Sequence, residues 1–251
     1  MIFDQAEFDV RCEWGAQGVT HLAPSSDVII IVDVLSFSTS VDIATGRGAV
    51  VFPYPGQDDS AVAFAAALAA ELADSKRTLA GYSLSPQSLL RIPTGARLVL
   101  PSPNGATLTL AVGATPTLAG CLRNARAVAH AAQQYGSRIA VIPAGERWRA
   151  DASLRPAFED IIGAGAILSH LHENRSPEAR LAVAAYQDAQ PHLEHRLRQC
   201  SSGKELVERG FERDVALASE LNVSANVPVW VKGAYVQASP VSGVKGRPTS
   251  P

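Results

Sequence analysis

The chain has 251 residues, of which 47% are hydrophobic and 18% are charged, so it is long enough to bury a substantial core. Its 22 basic and 24 acidic residues give a net charge of −2, and no run of like charge favours a nucleic acid or a membrane surface as partner. No apolar run approaches the roughly 20 residues of a transmembrane helix.

Three cysteines, Cys12, Cys121 and Cys200, lie far apart without CxxC spacing. This pattern argues against a disulfide framework and a structural zinc site, and it favours a reducing compartment. Residues 1–14 are acidic and interrupted, unlike a signal peptide. We therefore expect a cytoplasmic protein.

Short apolar runs alternate with helical patterns along the first half of the chain. The first clear strand is predicted at 27–35, where β-branched residues follow one another as in a strand covered on both faces. A second strand is predicted at 48–54, followed by an alanine-rich helix at 60–77. Further strands are predicted at 96–102 and 137–145.

The second half of the chain is richer in helical patterns. A helix is predicted at 124–136, with Asn124 as its N-cap and Gly136 as its stop signal. Another helix is predicted at 157–173, and residues 227–236 read as one or two strands. Alternating strands and helices predict an α/β protein with a mainly parallel sheet, flanked by helices in three α/β/α layers.

The domain prediction follows from this order of elements. We expect a single α/β unit at 1–236, whose helical C-terminal portion at 176–226 would allow a subdomain. Residues 237–251 are rich in Gly, Pro and Ser, and they predict a flexible tail.

Polar residues follow the predicted strands at their carboxyl ends, where open α/β sheets bind ligands. Asp33 lies near the end of the first strand, before a loop that contains Ser36, Ser38 and Thr39. An aspartate within a run of Ile and Val must be paired or coordinate a metal. Hydroxyls and amides at a strand-to-helix turn suit an oxyanion such as phosphate. A capping carboxylate is the alternative interpretation of Asp33.

Two adjacent acids, Glu159 and Asp160, open the helix predicted at 157–173. Complementation of the helix dipole is one explanation for them. Gly163 and Gly165 give the same helix a small-residue face, although each glycine costs about 1 kcal/mol relative to alanine. We therefore expect close approach to another backbone, which would hold the carboxylates against the sheet. Carboxylates together with phosphate oxygens form the environment that Mg²⁺ prefers.

Five blocks of sequence occur in order between about residues 27 and 230. They are IIIVDVLSFSTSVDIATGRGA, SPNGATLTL, AGCLRNARAVA, IPAGERWRADASLRPAFEDIIGAGAIL and SSGKELVERGFERDVALASELNVSANVPVW. This ordered set resembles the 2-phosphosulfolactate phosphatase family. The resemblance implies a Mg²⁺-dependent phosphatase of α/β architecture, which removes phosphate from 2-phosphosulfolactate on the way to coenzyme M.

The resemblance also implies roles for individual residues. Asp33, Glu159 and Asp160 would be acidic metal or catalytic groups, and the charge and placement of these three residues are the reason to expect all of them as metal ligands. Asn104, Gly105 and Asn124 would be polar residues that line the site. The hydroxyls of the turn after the first strand add Ser36, Ser38 and Thr39 as expected substrate contacts.

The chain departs from the family in its anion-handling residues. The family usually has arginine directly after Asp-Val-Leu, whereas this chain has Ser36, which cannot replace a bidentate cation. The Asn-Ser-Pro of the family reads Leu84, Ser85 and Pro86 here, and the Glu-Arg-Gly segment usually found upstream of it is missing. Arg123, Arg147 and Arg149 are the candidates for the replacement cation.

The residues support two functional hypotheses. The first is metal-assisted hydrolysis of a small acidic phosphate monoester, either 2-phosphosulfolactate or another phosphorylated acid. Water is favoured over Asp33 as nucleophile, because Leu35 stands where the haloacid-dehalogenase phosphatases have a second aspartate. The second hypothesis is a family member that binds an anionic metabolite without hydrolysis. Neither involves nucleic acid or a membrane, and the alanine-rich helices would allow a homodimer.

Overall fold

The computed structural model describes residues 2–56, 59–74, 76–172 and 174–238. The β-strands of these residues are β1 (Val10–Cys12), β2 (Val28–Val32), β3 (Val50–Tyr54), β4 (Glu71–Leu72), β5 (Arg97–Pro101), β6 (Thr117–Gly120), β7 (Ile139–Pro143), β8 (Glu146–Arg147), β9 (Leu154–Arg155), β10 (Pro228–Val231) and β11 (Ala234–Gln237). The α-helices are α1 (Gly15–Leu22), α2 (Phe37–Gly46), α3 (Asp59–Ala67), α4 (Gly105–Ala111), α5 (Ala125–Ala132), α6 (Phe158–Leu168), α7 (Pro177–Ala189), α8 (Leu193–Gln199), α9 (Ser201–Glu208) and α10 (Glu212–Ser219).

One mixed sheet contains nine of these strands, in the order β1-β7-β2-β6-β10-β11-β3-β5-β4. Parallel pairing joins β1, β7, β2 and β6 into one block, and β3, β5 and β4 into another. The hairpin of β10 and β11 lies between the blocks and pairs antiparallel with β6 on one side and β3 on the other. The predicted α/β fold with a mainly parallel sheet is therefore confirmed.

Helices cover both faces of β2, which is buried along its whole length. Ile29 and Ile31 pack in a cluster with side chains of α1 and α4. Ile30 and Val32 pack on the opposite face with side chains of α5 and α6. Because successive side chains of a strand point to opposite faces, this division produces the three expected layers.

The helix predicted at 60–77 is wrong in its second half. The structure has α3 only as far as Ala67, and Ala69 then adopts a φ of 47°, in the left-handed region that interrupts a helix. The chain continues into β4, which pairs in parallel with β5 at the edge of the sheet. Alanine favours a helix, but pairing with β5 and burial of Ala73 override that local preference.

The predicted domain boundaries stay predictions. The segment 176–226 contains α7 to α10, and α7 packs against both α6 and β1. The predicted tail begins at the last residue of β11, and its residues 239–251 lie outside the described residues. In the described part of the chain, no helix is long and apolar enough to cross a membrane.

The small-residue face of α6 packs closely against its surroundings, as the sequence predicts. A Cβ atom added at Gly165 would collide with the carbonyl oxygen of Ala182 and would lie 2.7 Å from Cβ of Tyr186, both in α7. A Cβ atom added at Gly163 would collide with the side chain of Val34, which follows β2. These contacts fix the first turn of α6 relative to the end of β2.

We expect Gly165→Ala to lower the free energy of unfolding by roughly 1–3 kcal/mol, because the methyl group must push α6 and α7 apart. Urea unfolding followed by circular dichroism measures the change. Gly46→Ala is the matched control, since this exposed glycine ends α2 and its nearest neighbouring atom would lie 3.5 Å from the added Cβ. Equal stability of Gly165→Ala and the unmodified protein would show that the two helices are not tightly packed.

Candidate active site

A cleft of about 1210 Å³ opens at the carboxyl ends of β2, β5 and β7. Asp33 follows β2, Ser102 follows β5, and Glu146 lies shortly after β7, as the first residue of β8. The side chains of all three residues line the cleft. The remaining walls come from Arg77, the hairpin at 146–155 and the first residues of α9. The cleft thus lies where open α/β sheets usually bind their ligands.

Asp33 is held in a fixed orientation by the amides of two helices. Its Oδ1 accepts a hydrogen bond from the amide of Phe37 at 3.1 Å, at the start of α2. Its Oδ2 accepts from the amide of Gly105 at 2.8 Å, at the start of α4, and from Oγ of Ser102 at 3.4 Å. Residue 105 must be glycine, because an added Cβ would lie 2.8 Å from Oδ2 of Asp33 and collide with the Phe37 ring.

Asp160 joins the ends of two neighbouring strands. Its Oδ1 accepts from the amide of Val34 at 2.7 Å, after β2, and its Oδ2 accepts from the amide of Gly145 at 2.9 Å, after β7. Burial and the negative charges of Asp33 and Glu159 raise the pKa of Asp160 well above its usual range. Because both carboxyl oxygens of Asp160 accept hydrogen bonds from backbone amides, this side chain positions the turns after β2 and β7.

Glu146 is an acid to which the sequence prediction assigned no role. Its Oε2 accepts a hydrogen bond of 2.8 Å from Nδ2 of Asn104, and the side chain lines the cleft. Burial raises the pKa of Glu146 to about 7, with a further contribution from the charge of Asp33. The carboxyl group can therefore gain or lose a proton near neutral pH.

The carboxyl groups of Asp33, Glu146, Glu159 and Asp160 act on one another as like charges. Burial raises the pKa of Asp33, and the hydrogen bonds from Phe37 and Gly105 partly offset this increase. Oε2 of Glu159 is buried and accepts no hydrogen bond from the described residues. Across the described ranges, no Lys or Arg forms an ion pair with any of the four acids. No ion pair among the described residues therefore neutralises these four acids.

The uncompensated charge fits a divalent cation. Among the described residues, no three His, Cys, Asp or Glu side chains are grouped so as to hold a metal ion by themselves. Mg²⁺, however, is commonly bound through one or two carboxylates, several waters and the substrate phosphate. The unpartnered Oε2 of Glu159 and the all-oxygen donor set match that mode of binding, and the three-acid ligand set stays a prediction.

Comparison with known families identifies the class of protein. The family model described as 2-phosphosulpholactate phosphatase matches residues 17–233. The chain belongs to the 2-phosphosulfolactate phosphatase family. The match extends over all five resembling blocks and confirms the resemblance. Membership makes the chain a phosphoric monoester hydrolase.

Curated relatives of the 2-phosphosulfolactate phosphatase family match most of the chain. A 2-phosphosulfolactate phosphatase from Methanothermobacter thermautotrophicus is 28% identical over 208 residues, which cover 83% of this chain and 88% of the relative. Two further matches are to relatives named "Probable 2-phosphosulfolactate phosphatase". The one from Carboxydothermus hydrogenoformans is 28% identical over 207 residues, covering 80% of this chain and 84% of the relative. The one from Thermus thermophilus is 28% identical over 219 residues, covering 83% and 90%.

The predicted substrate-contacting residues fall into two groups. Ser36 and Asn104 line the cleft, and Gly105 adjoins it through its bond to Asp33. Ser38 and Thr39 are fully buried, and their hydroxyls donate to the carbonyl oxygens of Ile31 and Val34. These two hydroxyls stabilise the turn after β2.

Asn124 is also buried away from the cleft. Its Oδ1 accepts from the amide of Cys121, and its Nδ2 donates to the carbonyl oxygen of Ala119. The predicted N-cap therefore holds the end of β6, and the structure does not bring it to the cleft lining.

Ser36 stands where family members usually have an arginine, and a different arginine, Arg77, lies beside it. Nη2 of Arg77 donates a hydrogen bond to Oγ of Ser36 at 3.2 Å. Arg77 is not among the candidates for the replacement cation that the sequence pattern gives. Arg123 is instead paired with Asp42 and Glu220, whereas Arg147 and Arg149 line the cleft. The alanine-rich pattern predicts that Arg77 ends a helix, and this local pattern gives no reason to place the residue beside Ser36.

Proposed function

We propose that the protein is a Mg²⁺-dependent phosphatase acting on 2-phosphosulfolactate or a closely similar small acidic phosphate ester. The main support is a group of four acids, three of them buried and none in an ion pair within the described ranges, beside a cleft that also contains arginines. The carboxyl groups would attract a cation, and the arginines would attract an anionic ester. The names of the relatives support the same reaction.

Asp33 and Glu159 would hold the ion, since Asp33 lines the cleft and Glu159 has an unpartnered oxygen. When bound, Mg²⁺ would neutralise the phosphoryl oxygens and lower the pKa of a bound water. Asp160 would keep the turns after β2 and β7 in place through its two amide bonds. Water is the proposed nucleophile, because both oxygens of Asp33 already accept hydrogen bonds.

Glu146 would donate a proton to the leaving oxygen of the ester. Its position in the cleft and its bond from Asn104 orient the carboxyl group toward bound substrate. A pKa of about 7 lets the acid be protonated at the start of the reaction near neutral pH. Asn104 would thereby act as a positioning residue for the proton donor.

We expect the purified protein to release inorganic phosphate from 2-phosphosulfolactate, and EDTA to abolish that release until Mg²⁺ is restored. Phosphate release is measured with a panel of esters, including p-nitrophenyl phosphate as a control that carries no acid group beyond its phosphate. Equal rates with EDTA and with Mg²⁺ would exclude the metal. Binding of these esters without turnover of any would favour the alternative in which the protein binds an anionic metabolite without hydrolysis.

A further inference from the structure

Arg77 lies in the irregular segment after β4 and lines the cleft with a side chain that is only 9% exposed. Its Nη1 forms an ion pair with Oδ2 of Asp214 at 2.7 Å, and its Nη2 donates to Oγ of Ser36 at 3.2 Å. The guanidinium also lies over the ring of Phe211, 5.7 Å from its centroid. Two separate segments of the chain, one at Ser36 and one from Phe211 to Asp214, thus hold this cation in place.

The partner of Arg77 is itself rigidly held. Asp214 is fully buried in α10, and its Oδ1 accepts from Oγ of Ser85 at 2.7 Å and from the amide of Gln87 at 3.1 Å. Nη1 of the guanidinium is therefore held by a carboxylate whose own orientation is fixed by two hydrogen bonds. An immobile guanidinium loses little entropy when it binds an anion, because its planar fork is already oriented.

The other arginines of the cleft are held less firmly. Arg149 is 92% exposed, and both it and Arg209 pair with the half-exposed Glu205. Within the described chain, Arg77 alone among the arginines lining the cleft is paired with a buried acid. The negative charge of Asp33, three residues before Ser36 in the sequence, also acts on the guanidinium of Arg77.

We propose that Arg77 binds an oxyanion of the substrate and thereby sets the preference of the enzyme for its ester. A guanidinium has five N–H donors, and the bonds to Asp214 and Ser36 use two of them. The remaining donors are available for a bidentate contact with phosphate or with an acid group elsewhere on the ester. This assignment rests on the proposed phosphatase function.

The test compares Arg77→Lys with Arg123→Lys. Both arginines are largely buried and paired with a buried aspartate, Asp214 or Asp42, but Arg123 lies away from the cleft lining of the described residues. Lysine keeps each ion pair but cannot make a bidentate contact. The KM and kcat for 2-phosphosulfolactate and p-nitrophenyl phosphate are measured, together with calorimetric binding of inorganic phosphate.

We expect Arg77→Lys to raise the KM for 2-phosphosulfolactate by roughly tenfold to hundredfold, with a smaller change in kcat, because a charged hydrogen-bonded contact is lost. Arg123→Lys should leave KM unchanged. A parallel loss of phosphate affinity would identify the phosphoryl group as the bound oxyanion. A loss confined to 2-phosphosulfolactate would identify its additional acid groups.

An unchanged KM and phosphate affinity in folded Arg77→Lys would overturn the proposal. If that variant does not fold, Ser36→Ala removes one anchor of the guanidinium while keeping the Arg77–Asp214 pair, and KM should still rise several-fold. An unchanged KM in this second variant would then overturn the assignment. Failure of the phosphatase function is distinguishable, since the unmodified protein would then release no phosphate while calorimetry still reports anion binding.

Discussion

Asp33→Asn is expected to lower kcat by on the order of 10³-fold or more while the protein still folds, because the substitution removes the charge that the proposed ion requires. The amide oxygen can still accept from one of the two backbone amides, and the amide nitrogen would face the other. One hydrogen bond is lost, worth about 1 kcal/mol, but burial of a carboxylate is relieved at the same time. Phosphate release at saturating Mg²⁺ and thermal unfolding measure the two effects separately.

Asp160→Asn is the matched control for this substitution. Asp160 is equally buried, and both of its oxygens accept backbone amides, but it is not among the described residues that line the cleft. We expect a clear loss of stability and a smaller loss of kcat than for Asp33→Asn. Activity of Asp33→Asn within tenfold of the unmodified protein would contradict the role of Asp33 at the reaction centre.

The nucleophile can be tested in the same preparation. A single turnover is quenched and treated with borohydride, which reduces an aspartyl phosphate to homoserine, and the peptide containing Asp33 is then analysed by mass spectrometry. With water as nucleophile, Asp33 stays unmodified at every quench time. Reduction of Asp33 to homoserine would establish an aspartyl-phosphate route instead.

Sequence patterns were sufficient where local composition and burial agree. The run of Ile and Val in β2 requires a strand that is buried on both faces, and Asp33 is informative because it ends that run. The glycines of α6 predicted close backbone packing, which Gly165 and Ala182 confirm. The adjacent acids Glu159 and Asp160 gained their interpretation mainly from the resemblance to the family.

Features that depend on distant segments could not be predicted in this way. Arg77 reaches Ser36 only because the predicted helix stops early, and Asp214, which anchors it, lies 137 residues further along the chain. The insertion of the hairpin of β10 and β11 between two parallel blocks likewise depends on pairing with β6 and β3. The pattern of residues within one segment does not indicate which distant segment will contact it, because the same segment could pair with many neighbours.

Glu146→Gln is expected to lower kcat for 2-phosphosulfolactate by about 10²–10⁴-fold, the usual contribution of a positioned proton donor. Hydrolysis of p-nitrophenyl phosphate should decrease far less, since its leaving group departs without a proton. Glu208→Gln is the control, because Glu208 is an exposed acid that is not among the described residues lining the cleft. Equal losses with both esters would show that Glu146 acts on something other than the leaving group.

The pH dependence provides an independent check on Glu146. A proton donor must be protonated, so with a pKa of about 7 the rate should fall as pH rises through that value, and Glu146→Gln should lack this decrease.

The same raised pKa of Glu146 also makes the stability of the protein depend on pH. The protonated form contributes stability that is fully present below about pH 4.5 and is lost as pH rises through about 7. In metal-free buffer, Glu146→Gln should therefore be more stable than the unmodified protein above pH 7, with the difference vanishing in acid. A variant that loses activity without this gain in stability at high pH would show that the carboxyl group is already solvated, and its assignment as the buried proton donor would have to be abandoned.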